Sequence, residues 1–238
     1  MPELQIEQGS VEWYEARLGL PTASRFHEII TPVKGERSAD LTSKKYMCEL
    51  IVERLLNRPA TDSVKSEFME RGTFLQPHAL QHMELETGLV LEPCGFFVTE
   101  DQRLGASPDG IVAGKPREAI EIKCLDARNH LYQILLGPEP KYKPQVQGQL
   151  LVGGFDVVHL CFYHPDMPFR HYPIEPDRGY QGKMIDALEA FCIDLDRYTA
   201  EAAVLGEYKR HERVLRPLDL AYPDRDRSGP LQSILDAG

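Results

Sequence analysis

The chain has 238 residues and a formal net charge of −10, which argues against a protein that coats nucleic acid through a broadly basic surface. It leaves room for a local basic channel inside an acidic shell. No apolar run approaches about 18 residues, so no membrane-spanning helix is expected. The start, Met1-Pro2-Glu3-Leu4-Gln5, has no basic and apolar leader. The five cysteines (Cys48, Cys94, Cys124, Cys161 and Cys192) are odd in number and lack C-x-x-C spacing. Reduced thiols in a cytoplasmic protein are expected, rather than a disulfide frame or a zinc site.

In chain order, residues 10–19 read as a short helix that Ser10 caps and Gly19 ends. A second helix starts near Thr22 or Ala23, packs through Phe26, Ile29 and Ile30, and is broken by Pro32 and Gly35. After a polar loop, Tyr46, Met47, Leu50, Ile51 and Leu55 recur at helical spacing from Ser43 to Asn57. Residues 63–87 also read as helical, interrupted by Gly72 and Pro77, with a break or kink near Thr73 to Gln76, or a new helix starting there. Short strands follow: Leu89 to Val98, Arg103 to Ala106, Gly110 to Ala113 and Ala119 to Cys124.

Residues 128–136 and Lys143 to Val152 read as helices, and Val157 to Tyr163 as the clearest strand. Phe169 to Ile174 would pair with it across a His164-Pro165-Asp166 turn, and 179–204 form a long amphipathic helix. This order predicts an α/β (or α+β) fold, with a central mixed sheet flanked by helices. One domain is expected over 1–215, with 216–238 as a tail, extended or docked on another subunit.

One stretch carries chemistry. Ser107-Pro108-Asp109-Gly110 is a tight turn, and Ile120-Glu121-Ile122-Lys123-Cys124 reads as a strand. Alternation puts Glu121 and Lys123 on one face and Ile120 and Ile122 on the other, in the core. If the turn brings Asp109 beside Glu121, two carboxylates and an amine converge. Hard oxygen ligands with room for water make a Mg²⁺ site, and an adjacent Lys can orient the attacking water. A surface hairpin with a solvated Glu and Lys would show the same residues. Trp13 reads as core and the eight histidines as surface; His78 and His82 lack the flanking Glu of a zinc protease motif.

The Pro-Asp…Glu-x-Lys pattern resembles the signature of a large nuclease superfamily. It stands in order with Trp13-x-x-x-Arg17-x-Gly19-x-x-Thr22-Ala23-Ser24, Arg71-Gly72 and Gln145-Val146-Gln147. The whole series resembles the phage lambda exonuclease family of viral-type recombination nucleases, over roughly residues 8–200. The resemblance implies a restriction-endonuclease-like core and a ring-shaped homotrimer around duplex DNA. The implied activity is processive digestion of the 5′-ended strand to mononucleotides. The 3′ overhang left behind would serve a single-strand annealing protein.

It further implies that Asp109, Glu121 and the backbone carbonyl of Ile122 bind Mg²⁺, with Mn²⁺ able to substitute. Lys123 would position the attacking water, and Gln147 would lie at the active site. Arg17, Ser24 and Ser107 would hold the 5′-terminal phosphate, which suits a planar guanidinium and two hydroxyls. Alone, Arg17 could be a solvated helix residue and Ser24 a cap. Gln76 stands where the family has an acid; it and Gln145 would support the site from behind. Two rivals share these residues: a structure- or site-specific endonuclease, and a catalytically dead DNA-end-binding module.

Overall fold

The computed structural model describes residues 3–60 and 67–211. The chain begins with β1 (Glu3–Leu4), α1 (Val11–Arg17), a 3-10 turn (Ala23–Arg25), α2 (Phe26–Ile29), α3 (Leu41–Leu56) and α4 (Glu67–Thr87). Strands β2 (Leu91–Glu92), β3 (Phe96–Val98), β4 (Gly105–Ala106), β5 (Gly110–Val112) and β6 (Lys115–Cys124) come next. Then follow α5 (Ala127–Leu136), a 3-10 turn (Pro140–Tyr142), α6 (Lys143–Gly153), β7 (Val157–Tyr163), β8 (Arg170–Ile174) and α7 (Arg178–Ala203). None of the described helices is long and apolar enough to cross a membrane.

The strands form a five-stranded sheet in the order β2-β5-β6-β7-β8 and a three-stranded one in the order β1-β3-β4. In the larger sheet β6 and β7 are parallel and the other neighbours antiparallel, so the sheet is mixed. Helices cover both faces. On one, Ala119, Val158, Leu160 and Phe162 pack with Val146 and Leu150 of α6 and with the α7 stripe Met184, Leu188 and Phe191. On the other, Ile120 and Ile122 pack with Ala79 and Met83 of α4. The period-two alternation of β6 therefore sends Glu121 and Lys123 toward the α6 side.

Three expectations need correcting. Leu89 to Val98 is not one strand: Pro93 and Gly95 interrupt it, and its halves join different sheets. The break near Thr73 to Gln76 is absent, and α4 runs on through Pro77. Pro77 has no amide proton to give the preceding turn, but Ala79 and Met83, both 0% exposed, pin the helix to the sheet. His130 and His159 are buried, not surface. His130 Nε2 lies 2.9 Å from the Pro168 carbonyl oxygen, and His159 sits between Glu118 and His171. The predicted tail, 216–238, lies outside the described residues.

Helix α6 is buried on almost every side, and Gly148 is what lets it sit so close. A Cβ there would stand 2.5 Å from Phe26 Cδ2 and 3.2 Å from Ala23 Cβ. Gly148→Ala gains about 1 kcal/mol of helix propensity. It loses about 1–3 kcal/mol to overpacking against the fully buried Phe26 ring. A net loss of stability is expected in urea denaturation; an unchanged or raised midpoint would refute this packing.

Candidate active site

The site forms where β5 stops short beside β6. Asp109, just before β5, donates its amide to the Ile120 carbonyl at 2.8 Å. Its Oδ2 accepts the Ile122 amide at 2.7 Å, so a side chain continues the ladder where strand backbone has ended. Gln76 reaches across from α4 and donates Nε2 to Asp109 Oδ1 at 2.9 Å. Glu121 is 4% exposed and is held from the opposite side. Its Oε1 accepts from Lys123 Nζ and from Gln145 Nε2, each at 2.6 Å, and its Oε2 accepts from Gln149 Nε2 at 2.5 Å. Lys123 also donates to Gln145 Oε1 at 2.8 Å. The structure thus brings Asp109, Glu121 and Lys123 together, with α4 bracing one carboxylate and α6 the other.

The electrostatics follow from burial. The Asp109 carboxyl, ordinarily at 3.8, is pushed up to about 7 by burial and then by Glu121, against hydrogen bonds from the Ile122 amide and Gln8. Burial would lower the Lys123 ammonium, but Glu121 and Asp109 outweigh it and the net direction is up. Two acids confined together with one ammonium suit a hard divalent cation, which relieves their repulsion. Among the described residues no group of three or more His, Cys, Asp or Glu side chains is arranged to hold a metal. A carboxylate pair still fits Mg²⁺, which keeps several waters of its own. Gln76 contributes a hydrogen bond where a third acid would have added charge.

Arg17 lines the same cleft, whose volume is about 470 Å³, together with Ser24, Ser107, Trp13, Gln76, Gln145 and the three central residues. Trp13 and Arg17 are one helical turn apart on α1, and the guanidinium carbon lies 4.2 Å from the Trp13 ring centroid. Arg17 Nη2 donates to Thr22 Oγ1 and Ser24 Oγ, both at a long 3.4 Å. Burial lowers its affinity for a proton. Among the described residues it forms no ion pair, so this half-buried cation is met by two hydroxyls and by the Trp13 and Phe96 rings. Ser107 is fixed separately, by the Trp13 indole N–H at 3.0 Å.

Gln147 is not in this cleft. Its Nε2 donates to the Glu175 carbonyl and its Oε1 accepts the Asp177 amide, both at 2.9 Å, on the far side of α6. Helical geometry explains the correction: Gln145 and Gln149 share a face, while the residue midway between them points elsewhere. The first glutamine of Gln-Val-Gln, not the second, touches Glu121. Sequence reasoning also missed Trp13, whose four-residue offset from Arg17 was the signal. It missed Gln149, which stands four after Gln145.

The model of the YqaJ-like viral recombinase domain matches residues 12–156, a span that runs from α1 through α6 and holds both halves of the cleft. The chain belongs to that family. Among solved structures, an alkaline exonuclease (LHK-Exo) from Laribacter hongkongensis matches with a TM-score of 0.72 and 30% identity. The match covers 83% of this chain and 100% of that one. The same protein in complex with dAMP gives a TM-score of 0.72 and 31% identity, with the same coverage. A phage related exonuclease from Haemophilus somnus 129PT shares the fold, with a TM-score of 0.62, 18% identity, 77% of this chain and 96% of that one. No curated protein matches the chain.

The folded state holds the Asp109 proton more tightly than the unfolded chain does. This residue's contribution to stability therefore falls as pH rises from about 4 to about 7, and stays low above that. Asp109→Asn removes the dependence and keeps an acceptor for the Ile122 amide. In chelator, the variant should melt above the parent at pH 8, with the gap closing toward pH 4. A gap that does not change with pH would show that the two acids are not confined together.

Proposed function

We propose that this protein is a Mg²⁺-dependent exonuclease that digests the 5′-ended strand of linear duplex DNA from 5′-phosphorylated ends. It would release mononucleotides and leave a 3′ overhang for recombination by single-strand annealing. The carrying observation is that one cleft holds both a carboxylate pair with Lys123 and a half-buried guanidinium without an acidic partner among the described residues. The first is suited to phosphodiester hydrolysis and the second to a terminal phosphate. Membership of a viral recombinase family and the likeness to an alkaline exonuclease support the same reading. So does the relative's complex with dAMP, a mononucleotide of the kind this reaction would release.

Asp109, Glu121 and the Ile122 carbonyl would hold the ion. Bound there, Mg²⁺ (or Mn²⁺) supplies a more acidic water and offsets charge on the leaving oxygen. Lys123, a donor to both Glu121 and Gln145, has the head group to orient that water for in-line attack. Gln145 steadies both partners. Arg17 would exchange its long hydroxyl contacts for charge-assisted bonds to phosphate, with Ser24 and Ser107 adding donors. Repeated capture of each new 5′ end, in a homotrimeric ring that encircles the duplex, would give processivity. The overhang would pass to a single-strand annealing protein.

The decisive assay follows labelled DNA with Mg²⁺ and with chelator. Linear 5′-phosphorylated duplex should be shortened only with Mg²⁺, and a covalently closed circle should be spared. Nicks in the circle would point to an endonuclease, and no Mg²⁺-dependent release at all would point to an end-binding module. Lys123→Ala should lower kcat by about 100-fold or more while duplex still shifts on a gel; digestion at the parental rate would remove Lys123 from the mechanism. Arg17→Ala should raise KM for 5′-phosphorylated ends about tenfold, the loss of one charge-assisted contact. It should also erase the preference over 5′-hydroxyl ends. An equal loss on both ends would refute the phosphate pocket.

A further inference from the structure

Gln149 is 1% exposed and sits one turn beyond Gln145 on α6. Its Nε2 donates to Glu121 Oε2 at 2.5 Å, whereas its Oε1 is buried with no partner among the described residues. Turning the amide over would set a carbonyl oxygen against a carboxylate, so Glu121 dictates the orientation and the orphan acceptor follows from it. A methionine would fill the same volume and remove the orphan Oε1, but it would take the donor away from the buried Glu121 Oε2. Packing therefore does not account for an amide here.

Its neighbours differ from it in one respect. Lys123 and Gln145 bind Glu121 Oε1 and line the cleft, where an arriving ion can displace them. Gln149 is enclosed and meets the cleft only through Glu121. We propose that Gln149 is a positioning residue. It anchors Oε2 of Glu121 in the interior, so that Oε1 alone is presented to the cleft and Glu121 engages a divalent cation through one oxygen in a fixed orientation. The proposal rests on the reading that this cleft binds such an ion. It adds what holds the ligand still.

The test is a calorimetric titration of chelator-treated protein with Mn²⁺ and Mg²⁺, without DNA, on the parent and Gln149→Met. Removing a group that orients a ligand weakens ion binding by about 10- to 100-fold. That loss is expected in the variant, beside a lower melting temperature, because the buried Glu121 Oε2 loses its donor. The Mg²⁺ concentration for half-maximal digestion should rise by the same factor, with KM for DNA ends unchanged. If the Met variant does not fold, Gln149→Asn decides: it keeps the amide but withdraws it from Glu121, and the same loss of ion affinity is expected. A parent that binds ions beside a variant that binds them equally well overturns the proposal alone. Ion affinity and DNA-end binding falling together would show a merely structural residue. A parent that binds no divalent ion removes the metal-dependent reading as well.

Discussion

Asp109 and Glu121 repel each other in a place where water is too scarce to screen them, and the surrounding elements are arranged to keep both there. Burial and the neighbouring acid push the Asp109 carboxyl far above its ordinary range. The compensation is local and comes from separate elements. β6 gives the Ile122 amide, α4 gives Gln76, and α6 gives Gln145 and Gln149. Four of the hydrogen bonds on the two acids thus come from neutral amides, and the Lys123 ammonium binds Glu121. Neutral donors hold an acid in place without discharging it, so the pair stays able to attract a cation. Stability given up at such a spot is characteristic of a site kept for chemistry.

The two halves of the cleft are joined by a short piece of backbone. Ser107, tied to the Trp13 indole, is two residues ahead of Asp109. Trp13 also carries Arg17 against its ring. A phosphate seated on Arg17 and Ser107 would be registered to Asp109 by the Ser107-Pro108-Asp109 segment, whose proline limits its freedom. Gly110 secures the other end: a Cβ there would lie 3.0 Å from the Glu92 carbonyl oxygen, so its absence lets β2 pair closely with β5. Local covalent structure fixes Ser107 relative to Asp109, and the packing of α1 through Trp13 fixes Arg17 relative to Ser107.

The central strand, the long final helix and the turn at Asp109 were legible because each rests on a strong periodicity or a strong breaker. β6 alternates and α7 carries an apolar stripe. Gln147 was misplaced because a motif names residue types in order, while a helix face selects them by angle. Residues two apart on α6 cannot both reach Glu121, and burial of α6 on nearly all sides blurs the pattern that would have oriented it. Trp13 was read as core because an indole is amphipathic: its ring packs while its N–H serves Ser107. The continuous α4 was hidden by Pro77, since local propensity carries no information about the sheet that holds Ala79 and Met83.

The acidic balance of the chain acquires a meaning once its cations are located. Arg25 is paired with Glu28 and Glu49, Arg37 with Asp194, Arg54 and Arg103 with Asp196, and Arg117 with Asp156. These arginines are already committed to carboxylates and offer phosphate little. Arg17 is half-buried, has no acidic partner among the described residues, and opens on the cleft. An unpaired guanidinium in a low-dielectric wall interacts with a dianionic terminal phosphate more strongly than with the single charge of an internal phosphodiester.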